Sequence, residues 1–159
     1  MISYAKLATE LGESDILELT LNQLKLDTSP TFGIFVNDLA TVAASNNKNN
    51  IIELLSNNYL LDLQSQSMTL AETATKNDHY DTVEFLLSYI KEHDAEKLND
   101  TFNLNETTYH LAEIAAANGH EELAEELAEC ANTQPERPPQ LFDAIPNQDL
   151  LQRMGFGYD

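Results

Sequence analysis

The sequence predicts an all-α fold made of repeated helix-turn-helix units. Four segments share one pattern: Ala-x-x-Ala, then Gly, Asn or Asp four residues later, then a mostly apolar pair four and five residues beyond that. The anchor residues of these segments are Gly12, Asn47, Asp78 and Gly119. They are spaced by 35, 31 and 41 residues. Because a period in the low thirties is typical of stacked helical repeats, we expect one elongated core.

The alanine pairs predict the buried face of a first helix in each repeat. Two alanines three residues apart lie on the same side of a helix, and their small side chains let a neighbouring helix approach closely. The predicted N-caps are Ser3, Asp38 and Thr69, nine residues before the anchors, and Thr107 or Thr108 in the fourth repeat.

The anchors predict a left-handed reversal after each first helix. Gly adopts a positive φ freely, and Asn and Asp tolerate it better than most residues. Such a residue is typical of the position just past a helix end. The second helices are then expected to open at Ser14, at Asn49, and near Tyr80 and Glu121.

The chain divides into a repeat domain, residues 1–131, and a tail, residues 132–159. The long last spacing predicts a polar insertion at 91–106. Three prolines between residues 135 and 139 predict extended chain, followed by a short helix at 148–154. The tail is interpreted as a cap on the last repeat or as a short linear element that binds a partner.

At these residues the chain resembles the ankyrin repeat family, over residues 1–131. Segment 112–130 matches best, with its Asn-Gly-His turn at 118–120. The resemblance implies an ankyrin-like solenoid with a C-terminal cap segment, and a structural hydrogen-bonding role for His79 and His120. The family's Thr-Pro-Leu-His signature and Gly-Ala-Asp finger stretch are absent, so a different helical-hairpin solenoid is the alternative fold.

In that family, binding residues come from the fingers between repeats and from the exposed side of the first helices. The resemblance therefore implies two sets of protein-binding residues. Just before the anchors lie Glu10, Leu11, Ser45, Asn46, Lys76, Asn77, Ala117 and Asn118. In the loops expected to lead into the first helices lie Phe35, Asn37, Gln66, Met68, Glu106 and Tyr109. The aromatic members are interpreted as interface anchors or, alternatively, as packing between repeats.

The formal net charge is −19. A field of this sign repels nucleic acid and anionic membranes and favours a basic protein partner; alternatively, the acidic surface only keeps the protein soluble. With one cysteine, no internal disulfide can form, which is compatible with a reducing compartment. No signal peptide and no run of 18 apolar residues is visible. We therefore expect a cytoplasmic protein, or one in a host cytosol if an intracellular bacterium exports it.

The sequence carries no recognisable catalytic, cofactor-binding or metal-binding motif. P-loop, dinucleotide-binding, HExxH and paired CxxC patterns are all missing. Five glutamates lie between residues 121 and 129. They are interpreted as a solvated face or as a docking face for a basic partner, because a continuous helix surrounds a cation poorly.

The predicted function is a non-catalytic protein-protein interaction module, such as an adaptor, an inhibitor or an effector-like protein. The alternative is an acidic decoy or antitoxin-like protein that covers the basic surface of a nucleic-acid-binding partner. An enzyme with a site assembled from distant residues is a third hypothesis, and a purely structural or oligomerisation role is a fourth. We expect a monomer or a weak homodimer.

Overall fold

The computed structural model describes residues 2–24, 31–94 and 104–133. Within these ranges the chain forms eight α-helices and no strand, which confirms the all-α prediction. The helices are α1 (Ile2–Leu11), α2 (Ser14–Leu24), α3 (Thr31–Ser45), α4 (Asn49–Asn58), α5 (Leu63–Lys76), α6 (Tyr80–Asp94), α7 (Leu104–Ala117) and α8 (Glu121–Thr133). In these ranges, no helix has both the length and the apolar composition needed to cross a membrane.

Each odd-numbered helix ends in a left-handed turn at the predicted anchor. The φ angles are 79° at Gly12, 57° at Asn47, 61° at Asp78 and 81° at Gly119. The N–H of the residue after each anchor donates to the carbonyl oxygen of the second alanine of the Ala-x-x-Ala pair, at 2.8–3.0 Å. This bond is the long one of the Schellman motif. The fixed spacing between alanine and anchor is therefore the spacing of a helix end.

The even-numbered helices begin where the sequence predicts. Ser14, Asn49, Tyr80 and Glu121 are their first residues. The reversal takes only two or three residues in each case, so the two helices of a pair lie antiparallel and in contact.

The predicted starts of the odd-numbered helices are wrong. α3, α5 and α7 begin several residues earlier than expected. The residues predicted as N-caps therefore all lie inside helices: Ser3, Asp38, Thr69, Thr107 and Thr108. In α5 the reason is visible, because Asp62 is the N-cap and its side chain accepts a hydrogen bond from the Ser65 N–H at 3.2 Å. The buried side chains also continue upstream of Leu70 at helical spacing, at Ser67 and Leu63.

The core lies between the helix pairs and along the row of odd-numbered helices. α1 contacts α3, α3 contacts α5 and α5 contacts α7; α2 also contacts α4, and α6 contacts α7. All eight alanines of the repeated pattern are buried: Ala5, Ala8, Ala40, Ala43, Ala71, Ala74, Ala112 and Ala115. Larger apolar side chains from the even-numbered helices complete the cluster, with Leu17, Ile52 and Leu86 fully buried among them.

The predicted division of the chain into a repeat domain and a tail stays a prediction. α6 and α7 extend into the two ends of the expected insertion at 91–106, and residues 95–103 lie outside the described ranges. α8 continues to Thr133, two residues past the predicted domain boundary. The rest of the tail, with its expected cap, also lies outside the described residues.

Candidate functional site

The candidate site is a polar strip that runs across the odd-numbered helices. It is formed by the residues nine, six and two positions before each anchor, and we name it the odd-helix face. Its members are Ser3, Lys6, Glu10, Asp38, Thr41, Ser45, Thr69, Glu72, Lys76, His110, Glu113 and Ala117. All are exposed except Ser45 and Glu72, which are half-buried.

Helical spacing places these residues on one side of each helix. Steps of three and four residues return to the same side, and the buried alanines lie at different positions, seven and four before the anchor. Because α1, α3, α5 and α7 contact one another in chain order, their four polar strips lie next to each other. The result is a continuous surface to which every helix pair contributes.

The predicted residues next to the anchors lie at the turn end of this face. Glu10, Ser45, Lys76 and Ala117 belong to the face itself. Three asparagines just before the anchors have a structural role as well: the side-chain amides of Asn46, Asn77 and Asn118 donate to the carbonyl oxygen four residues earlier, at 2.7–2.8 Å. These bonds add a side-chain donor to carbonyl oxygens near the helix ends, and the Ile114 oxygen also accepts the Asn118 backbone N–H at 3.1 Å. In the first pair Leu11 occupies this position and is exposed.

The second predicted set does not lie in loops, so its predicted location is wrong. Phe35 and Asn37 lie in α3, Gln66 and Met68 in α5, and Glu106 and Tyr109 in α7. The reason is the early start of these three helices. Their role in binding stays a prediction.

The individual environments of this second set differ. Phe35 and Met68 are half-buried and pack against the core, which favours the packing interpretation for Phe35. Tyr109 keeps 42% of its surface exposed, and its hydroxyl donates to the Oδ1 atom of Asn132 on α8. Of the two aromatic side chains, only Tyr109 is therefore open enough to contact a partner directly.

The odd-numbered and the even-numbered helices differ in charge. The formal charges of α1, α3, α5 and α7 are 0, −1, 0 and −2, a total of −3. Those of α2, α4, α6 and α8 are −2, −1, −3 and −5, a total of −11. Both signs lie close together on the odd-helix face, since Glu72 is 4.0 Å from Lys76 Nζ; it also lies 3.5 Å from His110 Nε2. The acidic character of the chain is thus concentrated on the even-numbered helices.

The glutamates predicted to form a solvated face are all exposed on α8. They are Glu121, Glu122, Glu125, Glu126 and Glu129. Among the residues that the structure describes, no three histidine, cysteine or acidic side chains are grouped so that they could hold a metal ion.

Two histidines join neighbouring helix pairs by equivalent hydrogen bonds. His79 Nε2 lies 3.0 Å from the carbonyl oxygen of Ser45, and His120 Nε2 lies 3.0 Å from that of Lys76. Each acceptor is the residue two positions before the preceding anchor, so the geometry repeats. Both histidines thus make a hydrogen bond between neighbouring helix pairs. In the second pair Lys48 stands at this position, and its side chain lies against Gly12.

A polar network between the second and third pairs was not predicted. The Thr82 hydroxyl lies 2.8 Å from Asn47 Oδ1 and 2.7 Å from Asn49 Oδ1, so its single proton is shared between them. Similarly, the buried Tyr59 donates its hydroxyl proton to Asn22 Oδ1 at 2.9 Å. These partners are more than 30 residues apart in the chain, and no local pattern relates them.

A shallow groove of about 150 Å³ lies where α6, α7 and α8 meet. Tyr80, Leu87, Lys91, Leu104 and Cys130 are among its lining residues. Burial, together with the neighbouring Cys130 and nearby glutamates, raises the pKa of Tyr80 to about 12. The phenol is therefore protonated at neutral pH and can serve as a hydrogen-bond donor.

Comparisons of this chain with protein-family models, with curated proteins and with solved structures find no match.

Proposed function

We propose that this protein is a non-catalytic interaction module that binds a protein partner through its odd-helix face. One observation carries the proposal: residues from all four odd-numbered helices form one continuous, exposed surface of mixed charge. A rigid surface with both signs and few apolar groups can discriminate between partners by charge pattern.

We further propose that the four helix pairs are diverged ankyrin-like repeats. The left-handed anchors, the alanine pairs and the repeated histidine bonds support this assignment. The described connection between α4 and α5 is only residues 59–62, so no extended finger projects there. The helices, rather than fingers, would then supply the binding surface at that junction.

The test compares two charge-reversal variants in affinity capture from native lysate, read by mass spectrometry. Glu10→Arg with Glu113→Arg alters the odd-helix face. Glu53→Arg with Glu125→Arg makes the same change in net charge on α4 and α8 and is the matched control. All four side chains are exposed, so neither variant should impair folding.

The expected result is a partner that the wild type and the control retain and the odd-face variant loses. Capture that is equal for all three proteins would contradict the use of this face. Loss in both variants would indicate a response to net charge alone, which also contradicts a specific odd-face interface.

The second candidate is an acidic decoy that covers a basic surface of its partner. The charge of −11 on the even-numbered helices favours it. This function predicts the opposite capture pattern, with loss in the Glu53→Arg, Glu125→Arg variant and retention in the odd-face variant. It also predicts that binding falls steeply as salt rises, because the attraction is long-ranged and screened.

A further inference from the structure

The free side of the first helix pair exposes large apolar side chains, two of them at positions that are buried in every other pair. Eight residues before the anchors, Tyr4 is 69% exposed, whereas its equivalents are fully buried: Leu39, Leu70 and Leu111. Four residues after the anchors, Ile16 is 52% exposed, whereas its equivalents are buried: Ile51, Thr82 and Leu123. Pairs two to four each follow another pair in the row, and there these positions are buried. In the first pair, no described residue covers them.

These side chains form one apolar surface, which we name the end face: Tyr4, Leu7, Leu11, Ile16 and Leu19. Spacings of three and seven residues place the first three on one side of α1, and a spacing of three places the last two on one side of α2. The two helices contact each other, and each of the five side chains is more than half exposed. Monomeric proteins rarely expose contiguous apolar patches beyond about 300–600 Å², and larger ones mark interaction sites.

The opposite end of the row of helix pairs is built differently. Ala116 is exposed where the equivalent residues, Thr9, Ala44 and Thr75, are completely buried. Ala124 stands half-buried where the equivalents are larger and buried: Leu17, Ile52 and Val83. This end therefore offers small side chains and cannot interdigitate with the end face of another molecule as the inner pairs do with each other.

Charge also disfavours contact between the end face of one molecule and the last helix pair of another. Residues 104–133 carry seven glutamates and no lysine or arginine, whereas residues 2–24 carry four acidic side chains and Lys6, a net charge of −3. Contact between two end faces brings together two parts that carry −3 each and holds the most acidic parts of the two molecules far apart. Contact between an end face and the last helix pair would place charges of −3 and −7 side by side.

We propose that the end face binds the end face of a second copy of this chain, forming a symmetric head-to-head dimer. The positions of Tyr4 and Ile16 are buried in each of the other helix pairs, and a second end face presents a helical hairpin with the same apolar spacing. A two-fold contact of this kind is self-complementary and closed, so assembly stops at two chains. A stable dimer needs about 800 Å² from each partner, so polar side chains around the end face would form its rim.

The test is sedimentation equilibrium of the full-length protein over about a hundredfold range of concentration, since dimerisation depends on protomer concentration. The wild type is expected to rise from the chain mass of 17.8 kDa to a plateau at twice that mass. Leu19→Glu and Ile16→Glu should each weaken the dimer by about tenfold or more, because they place a charge in the centre of an apolar contact. The matched control is Leu60→Glu, which makes the same change at a side chain that is 88% exposed and lies outside the end face.

Higher salt should strengthen the wild-type dimer, since it screens the repulsion between two negatively charged protomers. Circular dichroism of each variant establishes that its helices are intact. A wild type that stays monomeric at every concentration would overturn the proposal. Growth of the mass beyond two chains, or a dimer that Leu19→Glu and Ile16→Glu leave unchanged, would overturn it as well.

Discussion

At the scale of single residues, the backbone angle decides which side chain each turn accepts. Gly119 has a φ of +81°, although a Cβ atom added there would meet nothing within 4 Å. Gly33 in α3 has equally open surroundings, but its φ is not in the left-handed region. The two glycines therefore separate the effect of the backbone from the effect of packing.

Replacing each of these glycines with alanine should change stability in opposite directions. Gly33→Ala should raise the free energy of unfolding by about 0.5–1 kcal/mol, because alanine favours a helix interior. Gly119→Ala should lower it by about 1–2 kcal/mol, because an L-residue is strained at this φ. Urea unfolding followed by circular dichroism measures both. Changes of the same sign would show that the backbone angle at residue 119 is not what requires glycine.

At the scale of elements, the histidine bonds hold one helix pair against the next. His79 is half-buried and reaches the carbonyl oxygen at the end of α3. His93, by contrast, is exposed, and its hydrogen bond to the Tyr89 carbonyl stays within α6. Histidine thus makes a hydrogen bond between two helix pairs in one case and within a single helix in the other.

His79→Phe should lower the free energy of unfolding by about 1–2 kcal/mol, since it keeps a ring but leaves the Ser45 carbonyl oxygen without its side-chain donor. His93→Phe is the control and should cost clearly less, because water can replace a hydrogen bond at the surface. Thermal unfolding of both variants at neutral pH measures the difference. Equal losses would contradict a special role for the bond between pairs.

Those parts of the fold that depend on short stretches of chain could be predicted from the sequence. The four reversals and the starts of α2, α4, α6 and α8 follow from the anchors and the residues just after them. The early starts of α3, α5 and α7 could not be predicted in the same way. A periodic pattern of apolar residues indicates a helix but does not identify the first residue of that helix. In α5, Asp62 supplies the N-cap, seven residues before the predicted N-cap, Thr69.

The odd-helix face was predicted only in part, for the same reason. Residues close to the anchors, such as Glu10 and Lys76, were placed correctly, since the anchors fix their position on the helix. The residues assigned to loops were misplaced along with the helix starts. Contacts such as Thr82 with Asn47 depend on how two pairs pack, and the sequence of either pair alone does not contain that information.

At the scale of the whole molecule, two tyrosines make the free energy of unfolding depend on pH in the alkaline range. Burial raises the pKa of Tyr80 to about 12, with contributions from Cys130 and Glu84. Burial and nearby Glu18 also raise the pKa of Tyr59 above its ordinary value of 10.0. A folded-state pKa above the unfolded-state value means that the folded protein holds the proton longer. This contribution to stability is complete below pH 10 and is lost as the pH rises through the folded-state pKa.

The free energy of unfolding should therefore decrease between about pH 10 and 12, and Tyr80→Phe should make that decrease less steep. Urea unfolding at a series of pH values in this window measures the slope. Tyr4→Phe, which removes a phenol from an exposed position, is the matched control. A Tyr80→Phe protein whose stability falls as steeply as that of the wild type would contradict the link.

The main helix contacts of the described residues join only members of the same pair or of neighbouring pairs. Most native contacts therefore join residues that are close together in the sequence. Chains with such local contacts fold rapidly. During synthesis, the first two pairs already contain their own buried alanines, their mutual helix contacts and the bond from Tyr59 to Asn22. We expect this half of the molecule to acquire its structure on the ribosome, while the acidic last pair is still being translated.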